Sequence, residues 1–289
     1  MANRRRELSY RDATELIEDG DPRFVRTLAR GLALLRCFRP GERWLGNNEL
    51  AERSGLSRTA VSRFTYTLGR LGYLSYAPKR NKYALGTALL VTTFPMLANL
   101  AVRRIARPYM QELANQVRGV VSLGVRHGMG MLYVESCACS TARIPVVVGI
   151  GSRVPLARTA MGRAHLAGLS EIERAMLLRE MAAHYPEQWA ELAERIRLAL
   201  VQYGKVGYCV SEPGLAKESR AVGVALRHAP DGVAYAFNCG VPAFRLDPGQ
   251  LESDIGPRLR SMVACVEMAL VEAGSVASAG ATQAPNEEA

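Results

Sequence analysis

Apolar positions in the first third of the chain recur at helical spacing. Val25, Leu28, Leu32, Leu35 and Phe38 predict an amphipathic helix from Phe24 to Phe38, ended by Pro40 and Gly41. Trp44 and Leu45 predict a minimal strand, and Asn48 is placed to cap the next helix. In the stretch NELAERSGLSRTAVSRFTYTL, Ala51 is small where two helices would cross. Gly55 suits a turn of positive φ, and Ser57 can cap a second helix. Val61, Phe64, Leu68 and Leu71 give that helix an inward face. SYAPKRNKYAL then predicts a hairpin that turns through Pro78 to Asn81.

From residue 86 to about 118 the pattern stays helical. Pro95 is expected to break or kink the first helix, and Pro108 to open the helix PYMQELANQVRG. Beyond it the period shortens. VVSLGVRHG and GMLYVESC read as strands around a His127-Gly128 turn, and IPVVVGIG as another. A helix (TAMGRAHLAGL), two helical segments between about 170 and 203, and the strands GYCVS, SRAVGVALRH and GVAYAFNCG follow, with Asp231-Gly232 turning between the last two. A terminal helix spans about 248 to 273. The expected organisation is an arm at 1–22, a winged helix-turn-helix at 23–86, a helical linker at 87–118, an α+β domain with an antiparallel sheet at 119–274, and a small, polar, unordered tail at 275–289.

Charge sharpens this picture. The chain of 289 residues carries a net charge of +10. Residues 1–85 hold 17 Lys/Arg against 9 Asp/Glu, and the other 204 residues hold 20 against 18. The positive excess thus sits with the helix pair, as phosphate binding requires. The outward face of the second helix presents Arg58, Thr59, Ser62, Arg63 and Tyr66, side chains of the kind that reach base edges and phosphates. Lys79, Arg80 and Lys82 are expected at the wing tip, touching phosphate or the adjacent minor groove. An ordinary helical hairpin with a solvated face is the competing reading. Against it, no carboxylate occurs from residue 53 to residue 83.

No apolar run approaches the roughly 20 residues a membrane helix needs. The N-terminus has charge without an apolar segment behind it, so export is not expected, and the six cysteines read as reduced cytoplasmic thiols. Cys137 and Cys139 form a lone CxC without nearby histidines, too few ligands for a tetrahedral metal site. Neither a metal nor a cofactor is expected.

The segments RTLARGLALLRCF, the helix pair, GYL…YALG, ARPYMQELA, VPLARTAMGRAHLAG and GYCVSEPG…SRAVGVALR, taken in order, resemble the IclR-type (isocitrate lyase regulator) transcription factors from about Phe24 to Leu270. That resemblance implies a winged helix-turn-helix, a dimerising helical linker and a C-terminal GAF-like domain that binds a small effector, often a carboxylic acid from a catabolic pathway. Members usually act as dimers or tetramers.

The segment PLARTAMGRAHLAG opens a helix at Thr159 and Ala160, and unpaired N–H groups there favour an anion. Gly162 permits close approach of a ligand or a strand; a plain capped helix packed on the sheet is the alternative. The resemblance places Thr159, Ala160, Met161 and Gly162 along the effector pocket, with Glu212 facing it and Asn238 and Cys239 closing it. Arg163 stands where the family motif more usually has lysine, and Ser219-Arg220-Ala221 replaces a stretch that often reads Arg-Cys. Asn238 could equally cap a strand end.

The expected function is a DNA-binding transcriptional regulator whose operator binding responds to a small organic acid. Its expected partners are duplex DNA, the acid, further copies of the chain and RNA polymerase, with no membrane. One alternative is a constitutive DNA-binding protein whose C-terminal domain only oligomerises. An enzyme is the other, but no nucleophile–base set or glycine-rich phosphate loop is recognisable.

Overall fold

The computed structural model of the chain describes residues 23–141, 149–211 and 219–281. Two compact units divide between Asn99 and Leu100. The first holds α1 (Arg26–Leu35), α2 (Asn47–Ser54), α3 (Arg58–Arg70), the antiparallel pair β1 (Leu74–Ala77) and β2 (Lys82–Leu85), and α4 (Ala88–Ala98). Its core is Leu34, Cys37, Leu45, Leu50 and Val61, with Phe64, Leu68 and Tyr83 packed against it.

Local chemistry explains most of these elements. Gly55 turns the chain at φ 68°, and the Ser57 hydroxyl accepts from the Ala60 N–H at 3.2 Å to cap α3. Leu45 and Tyr83 exchange backbone hydrogen bonds of 2.9 and 2.8 Å, so the expected minimal strand adds a third member to the wing. Other expectations shift. Gly46, not Asn48, sits at the start of α2, where the Glu49 carboxylate accepts its N–H at 2.7 Å. Leu71 is exposed, and Thr65 takes the buried place on α3. Val25, Leu28 and Leu32 face outward because the buried edge of α1 runs through Leu34 and on to Cys37. Pro95 lies inside α4, which continues past it.

The second unit begins with α5 (Ala101–Gln116), which runs through Pro108 instead of starting there. Burial of Val102, Ala106, Met110 and Leu113 along one side outweighs the lost N–H. Then come β3 (Val120–His127), β4 (Gly130–Ala138), β5 (Arg153–Pro155), α6 (Ala160–Gly168), α7 (Glu171–His184), α8 (Trp189–Val206), β6 (Cys209–Val210), β7 (Ser219–Ala225) and β8 (Tyr235–Pro242). A π-helical turn, Leu251–Ile255, leads into α9 (Gly256–Ala281), which extends into the stretch expected to be an unordered tail. The strands form one antiparallel sheet in the order β5-β4-β3-β8-β7-β6. Helices α5 and α9 cover one face; α6 covers the other. The arm at 1–22, most of IPVVVGIG and the SEPGLAKES segment lie wholly or largely outside the described residues.

A bulge in β4 decides what each face carries. Leu123 pairs with Glu135 and Gly124 with Tyr133, so Val134 is an extra residue. Tyr133 and Ser136 therefore point towards α6, and Glu135 between them points towards α5. There Arg103 Nε and Arg107 Nη1 approach its two oxygens at 2.9 Å each, while Oε1 also accepts from the Ser136 N–H at 2.9 Å. Glu135 has no exposed surface, and a buried carboxylate without such partners is strongly destabilising.

On the opposite face, glycines let α6 lie directly on backbone. A Cβ on Gly162 would stand 1.9 Å from the Leu156 carbonyl oxygen, and one on Gly223 would stand 2.4 Å from that of Ala160. Gly162→Ala is expected to lower stability by about 1–3 kcal/mol or more, read from urea unfolding. Arg103→Ala or Arg107→Ala alone leaves Glu135 a partner, whereas the double variant should lose more than the sum, on the order of 3–5 kcal/mol.

Candidate DNA-binding face and effector site

Every residue expected on the reading face of α3 is exposed: Arg58, Thr59, Ser62, Arg63 and Tyr66, the last with 69% of its surface free. The opposite side of the helix holds it in place. Val61 and Thr65 are fully buried, and the Thr65 hydroxyl donates to the Ser62 carbonyl at 3.2 Å and to Asn47 Oδ1 at 3.4 Å. Arg53, on α2, does not join the free cations, because it is engaged by Glu42 and by the Cys37 carbonyl.

In the wing, β1 and β2 are joined by a short 3-10 turn, Pro78–Arg80, and Asn81 adopts φ 50°. The Tyr76 hydroxyl donates to Asn81 Oδ1 at 2.8 Å, and the Tyr76 and Tyr83 rings lie 4.9 Å apart. Lys79 and Arg80 are exposed at the tip. Lys82 corrects the expectation of a third tip cation: its ammonium lies 2.9 Å from Glu49 Oε2, tying β2 to the start of α2. Arg80 also lies 5.7 Å from the centre of the Trp44 ring, and Arg43 lies 5.1 Å from it. Sequence reasoning missed Arg43, whose only signal was an arginine next to a tryptophan in the minimal strand.

The effector residues divide. Thr159 caps α6, donating to the Pro155 carbonyl at 2.8 Å and accepting from the Gly162 N–H at 3.1 Å. Ala160, Met161 and Gly162 are buried, and Thr159 alone of the four keeps exposed surface. The missing side chain of Gly162 lets the helix pack directly on the Leu156 backbone. Met161 fills the space over Gly124. Asn238 pairs with Gly223 and Ser122 across the sheet, on the α6 face. Cys239, one residue on, points to the α5 face beside Val121 and is fully buried, so it cannot close a pocket with Asn238. Glu212 lies outside the described residues.

Beside Asn238 the structure assembles groups that the sequence did not single out. Asn238 Nδ2 donates to the Tyr133 hydroxyl at 3.2 Å, and its Oδ1 is buried without a partner among the described residues. Burial pushes the Tyr133 phenol up to about 12, partly offset by the Asn238 bond, so it keeps its proton. Ser122 Oγ and Ser136 Oγ lie 3.1 Å apart in the neighbouring row. These four side chains come from three different strands, and the β4 bulge fixes which face they share. Together they form a buried row of donors and acceptors next to the first turn of α6. No sequence pattern could have grouped them.

Three of the cysteines are held as poorly reactive thiols. Burial raises Cys209 and Cys239 to about 12, and burial followed by the Glu135 charge raises Cys137. Among the described residues no group of three or more His, Cys, Asp or Glu could hold a metal, and no single helix is long and apolar enough to cross a membrane.

His165, in α6, is the other perturbed group. Burial, then the nearby Arg126 charge, lowers it to about 4, only partly offset by its hydrogen bond to the Ala234 backbone and by Glu173. Below about pH 6.5 the unfolded chain takes up a proton there that the native state refuses. Stability is therefore expected to fall as pH drops from 6.5 towards 4, by about 3 kcal/mol in total from this one group. His165→Gln should flatten that part of a stability-against-pH curve.

Comparison with known proteins agrees with this architecture. The profile described as bacterial transcriptional regulator IclR C-terminal matches residues 94–266, and that of the IclR helix-turn-helix domain matches residues 27–78. The HTH-type transcriptional regulator TsaQ1/TsaQ2 of Comamonas testosteroni is 32% identical over 248 residues, which is 86% of this chain and 89% of that protein. A crystal structure of an IclR family transcriptional regulator from Brucella abortus is 38% identical with a TM-score of 0.76, covering 89% of this chain and 98% of that one. An IclR homologue from Microbacterium hydrocarbonoxydans, complexed with 4-hydroxybenzoate, shares the fold at 19% identity and a TM-score of 0.68, over 85% of this chain and 99% of that one.

Proposed function

The chain belongs to the IclR family and is a DNA-binding transcriptional regulator, not an enzyme; from that premise we propose which residues touch DNA and what kind of ligand controls them. Arg58, Thr59, Ser62, Arg63 and Tyr66 read the major groove, and Lys79 and Arg80 hold phosphate or the adjacent minor groove. The observation that carries this reading is the split character of α3: one side is buried on Val61 and Thr65, the other is exposed and free of carboxylates. Lys82 serves the wing's attachment to α2 through Glu49.

The effector is a small organic acid seated against Thr159, Asn238 and Tyr133, with Ser122 and Ser136 alongside. The Tyr133 phenol can donate to a carboxylate or hydroxyl oxygen, and the bare Asn238 Oδ1 can accept from a ligand hydroxyl. Such a ligand controls operator binding only by favouring one conformational state over another.

The regulator works as a homo-oligomer. In the first unit α4 has no buried residue, and it exposes Leu90, Val91, Phe94 and Met96, while α1 exposes Leu28 and Leu32 with Val25 at its N-cap. Apolar surface on two helices of one small unit favours a second copy of the chain, which would set half-site spacing on a two-fold operator. Its place is the cytoplasm, where operator and RNA polymerase are found, and polymerase is the partner through which an occupied operator acts.

The helix face is tested by operator binding of variants. Arg58→Ala or Arg63→Ala should cost about 1–3 kcal/mol and relax specificity at one base pair. Lys79→Ala should weaken all sequences alike and reduce the salt slope by about one, whereas Lys82→Ala should act mainly on the stability of the first unit. Unchanged operator affinity in both α3 variants would show that this face does not enter the duplex.

A further inference from the structure

Trp44 is absent from the core of the first unit, although the residue beside it belongs there. Leu45 is buried and exchanges backbone hydrogen bonds with Tyr83 at 2.9 and 2.8 Å. Side chains alternate along extended backbone, so the Trp44 ring lies on the other side of that bridge, half-buried. A large ring rooted in this way, but turned from the core, is a fixed platform at the surface.

Two guanidiniums close on this one ring. Arg43 lies 5.1 Å from its centre and Arg80 lies 5.7 Å from it, and both arginines are exposed. Arg80 belongs to the wing tip, whereas Arg43 belongs to the segment that leads into α2. That segment stays against the wing turn: a Cβ on Gly46 would stand 3.8 Å from the Asn81 carbonyl oxygen. Arg43 is therefore brought beside the wing tip.

Charge gives this arrangement its meaning. Like charges drawn to one ring repel each other unless an anion lies with them. The acids of this region are engaged elsewhere, Glu42 by Arg53, and Glu49 by Lys82 and the Gly46 N–H. Among the described residues neither Arg43 nor Arg80 has a carboxylate partner. Stacking on tryptophan restricts a guanidinium without neutralising it, and leaves its N–H fork for an anion.

We propose that Arg43 is a further DNA contact, gripping a backbone phosphate beside the wing, and that Trp44 is the positioning residue that holds Arg43 and Arg80 for it. This rests on the reading of α3 and the wing as the DNA-binding face, and adds a contact from outside both. Two forks from separate segments then meet the phosphate backbone in a fixed orientation, and the grip carries no base sequence. The phosphate also supplies the negative charge that the paired arginines lack.

Salt titrations of DNA binding by the full-length protein test this. The probes are a labelled duplex from the region upstream of its own gene and a scrambled duplex of the same composition. Arg43→Ala, at an exposed position, should weaken both by the same factor, roughly three- to tenfold, and lower the slope of log affinity against log salt by about one. Trp44→Leu should also weaken both, and in that background Arg43→Ala should lose less than in the parent protein. Trp44→Phe, which keeps a ring, should restore most of the affinity. Trp44 emission, isolated by Trp189→Phe in the second unit, should change saturably with either duplex. Unchanged affinity and slope in Arg43→Ala would overturn the phosphate contact. A full Arg43→Ala effect in the Trp44→Leu background, or emission unmoved at saturation, would overturn the role of Trp44. Arg63→Ala, run alongside, separates these outcomes from the placement of α3. Loss in Arg63→Ala with none in Arg43→Ala sinks the phosphate contact alone, and no loss in either sinks both.

Discussion

A fully buried carboxylate, Glu135, constrains the effector unit more than any other single group. Its charge is sustained by Arg103 and Arg107, both on α5, and by the Ser136 N–H beside it. The helix therefore cannot leave that face of the sheet without stranding a charge in the interior. Glu135 reaches this face only because Val134 is an extra residue in β4. Regular alternation would have placed Glu135 with Tyr133, among the polar groups facing α6. One bulge thus separates an anchoring ion pair from a polar row facing α6, using neighbouring residues of one strand.

Along α6, backbone contact and side-chain chemistry are kept apart in a similar way. Gly162 and Gly223 bring the helix onto the Leu156 backbone and onto β7 with no side chain between them. That contact buries Ala160 and Met161 and leaves Thr159 at the edge, near Asn238. Further along the helix, His165 is buried in neutral form, with one nitrogen unsatisfied among the described residues. A single helix therefore borders two different chemical environments, one rich in hydroxyl and amide groups and one mainly apolar.

In the first unit, ion pairing sorts the cations by role. Arg53 and Lys82 are held by Glu42 and Glu49 and stabilise the unit's own structure. Arg58, Arg63 and Lys79 have no carboxylate close in sequence: none occurs between Glu52 and Glu112. Arg80 and Arg43 lie beside the Trp44 ring, which limits their conformational freedom without neutralising them. The positive field of this face thus comes from fewer side chains than a count of Lys and Arg suggests.

Local rules made much of this protein readable from its residues. Gly55, Ser57 and the Val61–Phe64–Leu68 spacing specified the helix pair; Gly128 and Gly232 marked their turns; and carboxylate depletion marked the exposed basic face of α3, because each depends on neighbours within about one turn of chain. The family itself was legible from the order of such segments. Tertiary structure decided the rest. It chose Leu34 over Leu28 and Leu32 as the buried edge of α1, and it carried α5 through Pro108. It also engaged Lys82 with Glu49 and put Cys239 on the face opposite Asn238. The grouping of Tyr133, Ser122, Ser136 and Asn238, like the isolation of His165, depends on strand register and burial between segments far apart in the chain. Sequence periodicity describes one element at a time and cannot carry that information.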